Sequence, residues 1–137
     1  MSDRQDWNRA VIGEFRANGG RVAAFANQPL LLLHHFGAKT GTERVNPLAY
    51  LDLGNRYAIF GSKGGAPTDP EWVRNVVAHP DVTVEIGTET VPVHARLVRG
   101  EERTPIWQEQ KRRNPGFAEY EQKTAREIPV IVLERTG

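Results

Sequence analysis

Between residues 82 and 97, apolar and polar side chains alternate almost without a break. Val82, Val84 and Ile86 are interleaved with Thr83 and Glu85, and Val91, Val93, Ala95 and Leu97 with Pro92, His94 and Arg96. Successive side chains on a strand point to opposite faces, so this period gathers the apolar ones on one side and leaves the other in water. Two half-buried strands joined by a turn near residues 87–89 make an antiparallel pair. A doubly wound parallel sheet needs regular strand–helix alternation, which this chain lacks.

The remaining segments fit an antiparallel scheme. Residues 30–36 form a continuous apolar run ending in His34-His35-Phe36, and residues 37–46 read as a polar loop. Strands are expected at 47–53 and 56–62, joined by a tight Gly54-Asn55 turn, with a last one at 128–134. A Gly-rich loop covers 63–68. Trp7, Val11 and Phe15 give residues 4–17 a narrow apolar stripe, and Gly19-Gly20 stops that helix. Residues 22–26 read as a further turn. A helix over 70–79 would take Asp69 as N-cap and Pro70 at its first position, or a Thr68/Glu71 capping box. Another over 101–113 has Glu101 and Glu102 at its start and Lys111, Arg112 and Arg113 at its end. Pro105 is tolerable there only in the first turn. Phe117, Tyr120 and Thr124 suggest a short further helix. The expected architecture is a mainly β, six-stranded barrel (α+β in class) with helices packed outside. Residues 1–28 would form an N-terminal helical segment and 29–137 the barrel domain.

Composition narrows the chemistry. The 137 residues suffice for one core, and the formal net charge of +1 argues against bulk attraction to nucleic acid or anionic membrane. Cysteine is absent, which removes disulfides, thiolate metal sites and a Cys nucleophile and fits a cytoplasmic protein. No stretch reaches the roughly 20 apolar residues of a membrane span, and no signal-like segment is expected. The four histidines lack metal-ligand spacing, so no metal is expected, and Ser62 has no serine-hydrolase elbow around it.

Two Gly-containing loops carry the strongest chemical signal. One is Gly37-Ala38-Lys39-Thr40-Gly41 followed by Arg44; the other is Gly61-Ser62-Lys63-Gly64-Gly65, leading into a helix N-terminus. Glycines let successive N–H groups converge on an anion, the helix end adds partial positive charge, and Lys39, Arg44 and Lys63 add formal charge. A phosphate or carboxylate ligand fits this pattern; so do two connecting loops with ordinary surface lysines. Trp72, Trp107 and Tyr120 suit either a flat ligand or the core. Lys111-Arg112-Arg113 reads most simply as a solvated helix end.

The order of these motifs resembles the deazaflavin-dependent nitroreductase family, split β-barrel enzymes of the FMN-binding type that use coenzyme F420. The matching residues are Lys39, Thr40, Gly41, Arg44 and Pro47, then Ser62 to Gly65, Trp72 and Asn75, His79 to Val82, and the closing Ile-Pro-Val-Ile-Val-Leu. The resemblance implies that Lys39, Arg44 and Lys63 hold the cofactor's phosphate and acidic tail. It places Thr40, Gly41, Pro47, Ser62, Gly64, Gly65, Trp72 and Asn75 in the same cofactor site. Family members known for nitroimidazole reduction have tyrosines where this chain has Ala49, Asn114 and Phe117, and only Tyr120 is retained. A quinone or enone is then the better acceptor than a nitroaromatic. Hydride would pass from reduced F420, with Ser62 or backbone N–H stabilising the acceptor anion and Tyr120 or water supplying the proton; Tyr50 is the other tyrosine near that loop. Three alternatives stay open: the same barrel binding FMN or haem, a non-catalytic F420 carrier, and an OB-like nucleic-acid module, which the charge balance disfavours. A monomer or weak homo-oligomer is expected, with at most weak peripheral membrane contact through the N-terminal helix.

Overall fold

Six strands close into an antiparallel barrel. A computed structural model describes residues 3–23, 29–62 and 68–136. The elements run α1 (Asp3–Ala17), β1 (Leu30–Phe36), β2 (Glu43–Asp52), β3 (Arg56–Phe60), α2 (Glu71–Ala78), β4 (Asp81–Ile86), β5 (Glu89–Val98), α3 (Gly100–Arg113), α4 (Gly116–Lys123) and β6 (Val130–Arg135). The turn expected at 22–26 falls mostly outside the described residues.

Around the barrel the strands follow the order β1-β2-β3-β6-β5-β4, and every neighbouring pair is antiparallel. Strands β1, β3 and β5 therefore run one way and the other three run back. All three connections that follow an odd strand open at one end of the barrel. These are the 37–42 loop, the segment carrying α2, and the segment carrying α3 and α4. The opposite end holds the short β2–β3 and β4–β5 turns and the turn after α1, where Gly20 meets Gly87.

Side-chain parity decides what covers each face. Leu31, Leu33, Tyr57, Ile59, Val84, Val93, Ile131 and Leu133 fill the interior, and Trp72, Val73 and Val76 of α2 join that same core, so α2 plugs the open end. On the outer face, Ala58, Phe60, Val130 and Val132 pack under Ile106, Trp107 and Phe117 of α3 and α4. Leu30 and Leu32 pack outward under Val11 and Phe15 of α1. Thus β1, β3 and β6 are covered on both faces, which explains their continuous apolar sequence. Strands β4 and β5 are covered on one face and alternate. Full burial of one such aliphatic side chain contributes about 1.5–3 kcal/mol, so these layers dominate the fold's stability.

Three sequence expectations are corrected. The polar stretch before Pro47 is not all loop: β2 begins at Glu43, with Arg44 paired to His35 and Asn46 to Leu33. Asn46 is tolerated on the interior face because a buried imidazole meets its amide. Asp69 does not cap α2; Pro70 takes that position without a side-chain cap, and Asp69 instead binds Arg126 at 2.7 Å. Pro105 lies beyond the first turn of α3. Its missing N–H leaves the Glu101 carbonyl without an i+4 donor, and because both residues are exposed, water can take that carbonyl.

Candidate active site

The 37–42 loop, at the open end, is closed by its own backbone. Gly37 N–H donates to Thr42 O at 2.9 Å and Gly41 N–H to Gly37 O at 2.8 Å. Gly41 sits at φ +70°, a left-handed conformation that a side chain would strain. The N–H groups of Lys39 and Thr40 donate to no described residue. Opposite them stands α2, whose buried Asn75 accepts from Ala38 N–H at 3.0 Å. A cleft of about 260 Å³ lies between, lined by Gly37, Ala38, Lys39, Thr40, Arg44, Glu71, Arg74 and Asn75. Three cations face one carboxylate there. Arg44 and Glu71 form a loose ion pair at 3.7 Å, and both are at least half exposed.

Lys39, Thr40, Arg44 and Asn75 thus come together as the sequence motif grouped them, and Arg74 joins them from the next turn of α2. Gly41 shapes the turn without lining the cleft. Pro47 lies on β2 opposite Leu32. Trp72 lies in the interior core. Lys63, Gly64 and Gly65 fall outside the described residues.

Ser62 follows β3 and is buried. Arg126, just before β6, clamps both borders of the 63–67 segment: its guanidinium donates to Ser62 O at 2.9 Å and to Asp69 Oδ1 at 2.7 Å. Sequence reading missed Arg126, since a lone arginine in a polar stretch carries no local signal. Tyr120 reaches the outer face through a string of rings: Phe60 to Phe117 at 5.7 Å and Phe117 to Tyr120 at 5.3 Å. Tyr50 faces inward, edge-on to Tyr57 at 5.5 Å. Burial, first, and the nearby Asp52 charge push the Tyr50 hydroxyl's pKa up, which makes it a poorer proton donor.

A second cleft, of about 240 Å³, lies where the C-terminus of α3 meets the outer face of β2. Pro29, Ala49, Leu51, Asp52, Gln110, Arg113 and Asn114 contribute to its walls. Continuing the β2–β3 register from the Tyr50–Ile59 pair sets Ala49 across from Phe60, two residues short of Ser62 on the same face. Gln110 is 4% exposed, and its amide bonds no described residue. No fully buried side-chain N or O among the described residues lacks a partner, so this amide reaches the surface, and in the cleft lining it is available to a ligand's carbonyl or hydroxyl.

A family model for the F420H(2)-dependent quinone reductases matches residues 7–135. The chain belongs to that family. Membership makes it an oxidoreductase that uses reduced coenzyme F420, and the cationic cleft fits the anionic groups of that cofactor. A curated F420H(2)-dependent quinone reductase of Mycobacterium tuberculosis is 36% identical over 126 residues, covering 88% of this chain and 85% of its own. The solved structure of an F420-H2 dependent reductase, FDR-A, superposes with a TM-score of 0.72 at 41% identity, over 77% of this chain and 94% of that one. A structure described as a domain-swapped dimer matches with a TM-score of 0.74 at 36% identity, over 96% of this chain and all of that one. The barrel is therefore of the split-barrel type. FMN, haem and nucleic acid, which the residues alone left open as ligands, give way to F420.

Proposed function

We propose that this chain reduces quinones, with the cofactor's anionic groups held between the 37–42 loop and α2 and the acceptor on the outer β2–β3 face. The convergence of Lys39, Arg44 and Arg74 with the open N–H groups of Lys39 and Thr40 on one cleft carries this reading. Two such charges in fixed positions suit a phosphodiester, and the third extends the reach toward a carboxylate tail. Lys63, Gly64 and Gly65 belong to the same site by their place after Ser62; Thr40 and Asn75 line it, Gly41 shapes its turn, and Pro47 and Trp72 support it from β2 and the core. Reduced F420, when bound, supplies the hydride. The protein's part is to orient the acceptor, exclude water and stabilise the charge that develops on its oxygen. Ser62, held by the Arg126 clamp, is placed to donate to that oxygen, and Tyr120 to deliver a proton. Gln110 offers a hydrogen bond to a quinone carbonyl in the cleft between α3 and β2. Ala49 and Asn114 in that cleft, and Phe117 beside Tyr120, provide no phenolic hydroxyl, which favours quinones and enones over nitroaromatics.

The N-terminal stripe supports an enzyme working from the aqueous phase of the cytoplasm. Val11 and Phe15 are buried against the barrel, which takes the centre of the apolar stripe out of reach of a bilayer. No described helix is long and apolar enough to cross a membrane. Pelleting with anionic liposomes is therefore weak and lost at physiological salt. The domain-swapped relative supports a homodimer as an accessible state, which sedimentation velocity would detect.

The deciding experiment is anaerobic turnover of reduced F420 against a panel of quinones and nitroimidazoles, with reduced FMN as control donor. Quinone kcat/KM should exceed that for nitroimidazoles with F420 alone. Tight binding without turnover would identify a carrier, and turnover with FMN alone would refute the cofactor site.

A further inference from the structure

His35 is 1% exposed on the interior face of β1, in line with Leu31 and Leu33, where an apolar side chain would serve packing better. Both ring nitrogens are bonded. Nε2 lies 2.6 Å from Asn46 Oδ1, and Nδ1 lies 3.0 Å from Asn75 Nδ2. An amide oxygen only accepts and an amide nitrogen only donates, so Nε2 carries the proton and Nδ1 receives one. Asn75 then turns its Oδ1 to Ala38 N–H. The three bonds form one directional chain: Ala38 to Asn75, Asn75 to His35, His35 to Asn46.

We infer that His35 is a positioning residue for the anion-binding loop, its neutral Nε2–H tautomer orienting Asn75 so that the Asn75 carbonyl fixes Ala38 and the turn bearing Lys39 and Thr40. This rests on the reading of that turn as part of the cofactor site. The tautomer matters because the Asn75 amide has two faces. If it flips, its NH2 meets the Ala38 N–H, donor against donor, and its oxygen meets the Nδ1 lone pair; both bonds are lost. A proton on Nδ1 favours that flip. The charged and titratable groups facing the ring are His34 from its own strand, Arg44 from β2 and Glu71 from α2. Burial, followed by the Arg44 and His34 charges, disfavours the imidazolium, against the Asn46 bond and Glu71, which favour it. The neutral form therefore holds at neutral pH, and acid releases the loop.

Two measurements test the inference. In the free protein, 15N shifts of the His35 ring should report the Nε2–H tautomer at pH 7.5; an Nδ1–H tautomer overturns it without reference to any cofactor. In F420 titrations, His35→Leu should weaken binding ~10-fold, the loss of about one well-placed hydrogen bond. His35→Gln, which can accept from Asn75 and donate to Asn46, should restore binding to within ~3-fold. Wild-type affinity should fall in acid, at a pH below the ordinary imidazole value because burial lowers the His35 pKa, relative to His35→Gln measured alongside. Titration of the cofactor itself is common to both proteins and cancels. Equal pH profiles, or a Gln variant no better than a folded Leu variant, overturn the inference. If Leu does not fold, the tautomer and the paired profiles still decide. Lys39→Ala run in parallel separates the two claims: unchanged F420 affinity there sinks the loop as the cofactor site and leaves the tautomer result standing.

Discussion

Glu71 stands among the cations of the 37–42 cleft and pairs with Arg44 across 3.7 Å of largely exposed space. Such a pair is worth little to stability, but its carboxylate competes with any anion entering the cleft. Glu71→Gln should therefore tighten F420 binding ~2–5-fold at low salt, with the gain vanishing as ionic strength rises. Lys39→Ala should do the reverse, weakening binding by about 1–3 kcal/mol for a lost charge-assisted contact. Isothermal titration at two salt concentrations reads both, and a Glu71 variant that binds more weakly would mean Glu71 orders Arg44 rather than opposing the ligand. Arg126 bears on the proposed site through the residues that flank the Gly loop. With both borders of the 63–67 segment bonded to one guanidinium, Arg126→Met should raise KM for F420 more than it lowers Tm.

At the scale of elements, α1 is held to the barrel by more than its apolar stripe. Arg16 binds Glu85 of β4 at 2.6 Å, and His34 shares the same carboxylate. After the helix the chain turns at Gly20, at φ +99°, where an added Cβ would come within 2.9 Å of the Gly87 Cα in the β4–β5 turn. Neither backbone can yield cheaply. Gly20→Ala should lower stability by roughly 1–3 kcal/mol through conformational strain and contact. F420 affinity should stay unchanged, because Gly87 lies at the end of the barrel away from the cleft; a large change in Kd would contradict that separation. Most elements were legible from period and punctuation alone. The misreadings at Asn46 and Asp69 share a cause. Each is a polar residue whose partner, His35 or Arg126, is distant in sequence, and local rules for loops and caps cannot anticipate such a partner. The resemblance could group Lys39, Arg44 and Asn75, whereas Arg74 and Gln110 joined the clefts only through helix geometry.

For the whole molecule, the antiparallel barrel divides labour between its ends, and the two ends should respond to different ranges of acid. His35, at the open end, has its pKa lowered below the ordinary 6.5, chiefly by burial. The unfolded chain thus takes up a proton near 6.5 while the folded chain resists until lower pH. Stability from this site is complete above ~6.5 and declines as pH falls below it, at no more than about 1.4 kcal/mol per pH unit for one proton. Glu85, under α1, has its pKa lowered below the ordinary 4.5, first through the Arg16 hydrogen bond and with His34 adding to it. Its contribution is present above 4.5 and is lost only as pH falls through that range toward the lowered value. Urea midpoints measured from pH 8 to pH 3 should therefore show an early decline and a later one. His35→Gln should flatten the first and leave the second. Glu85→Gln should reduce the second without abolishing it, since Glu102, Glu109 and Glu121 also have lowered pKa values, at a cost in stability at neutral pH from the lost Arg16 and His34 contacts. An early decline that persists unchanged in His35→Gln would assign it to other histidines and leave the buried ring no part in the molecule's acid response.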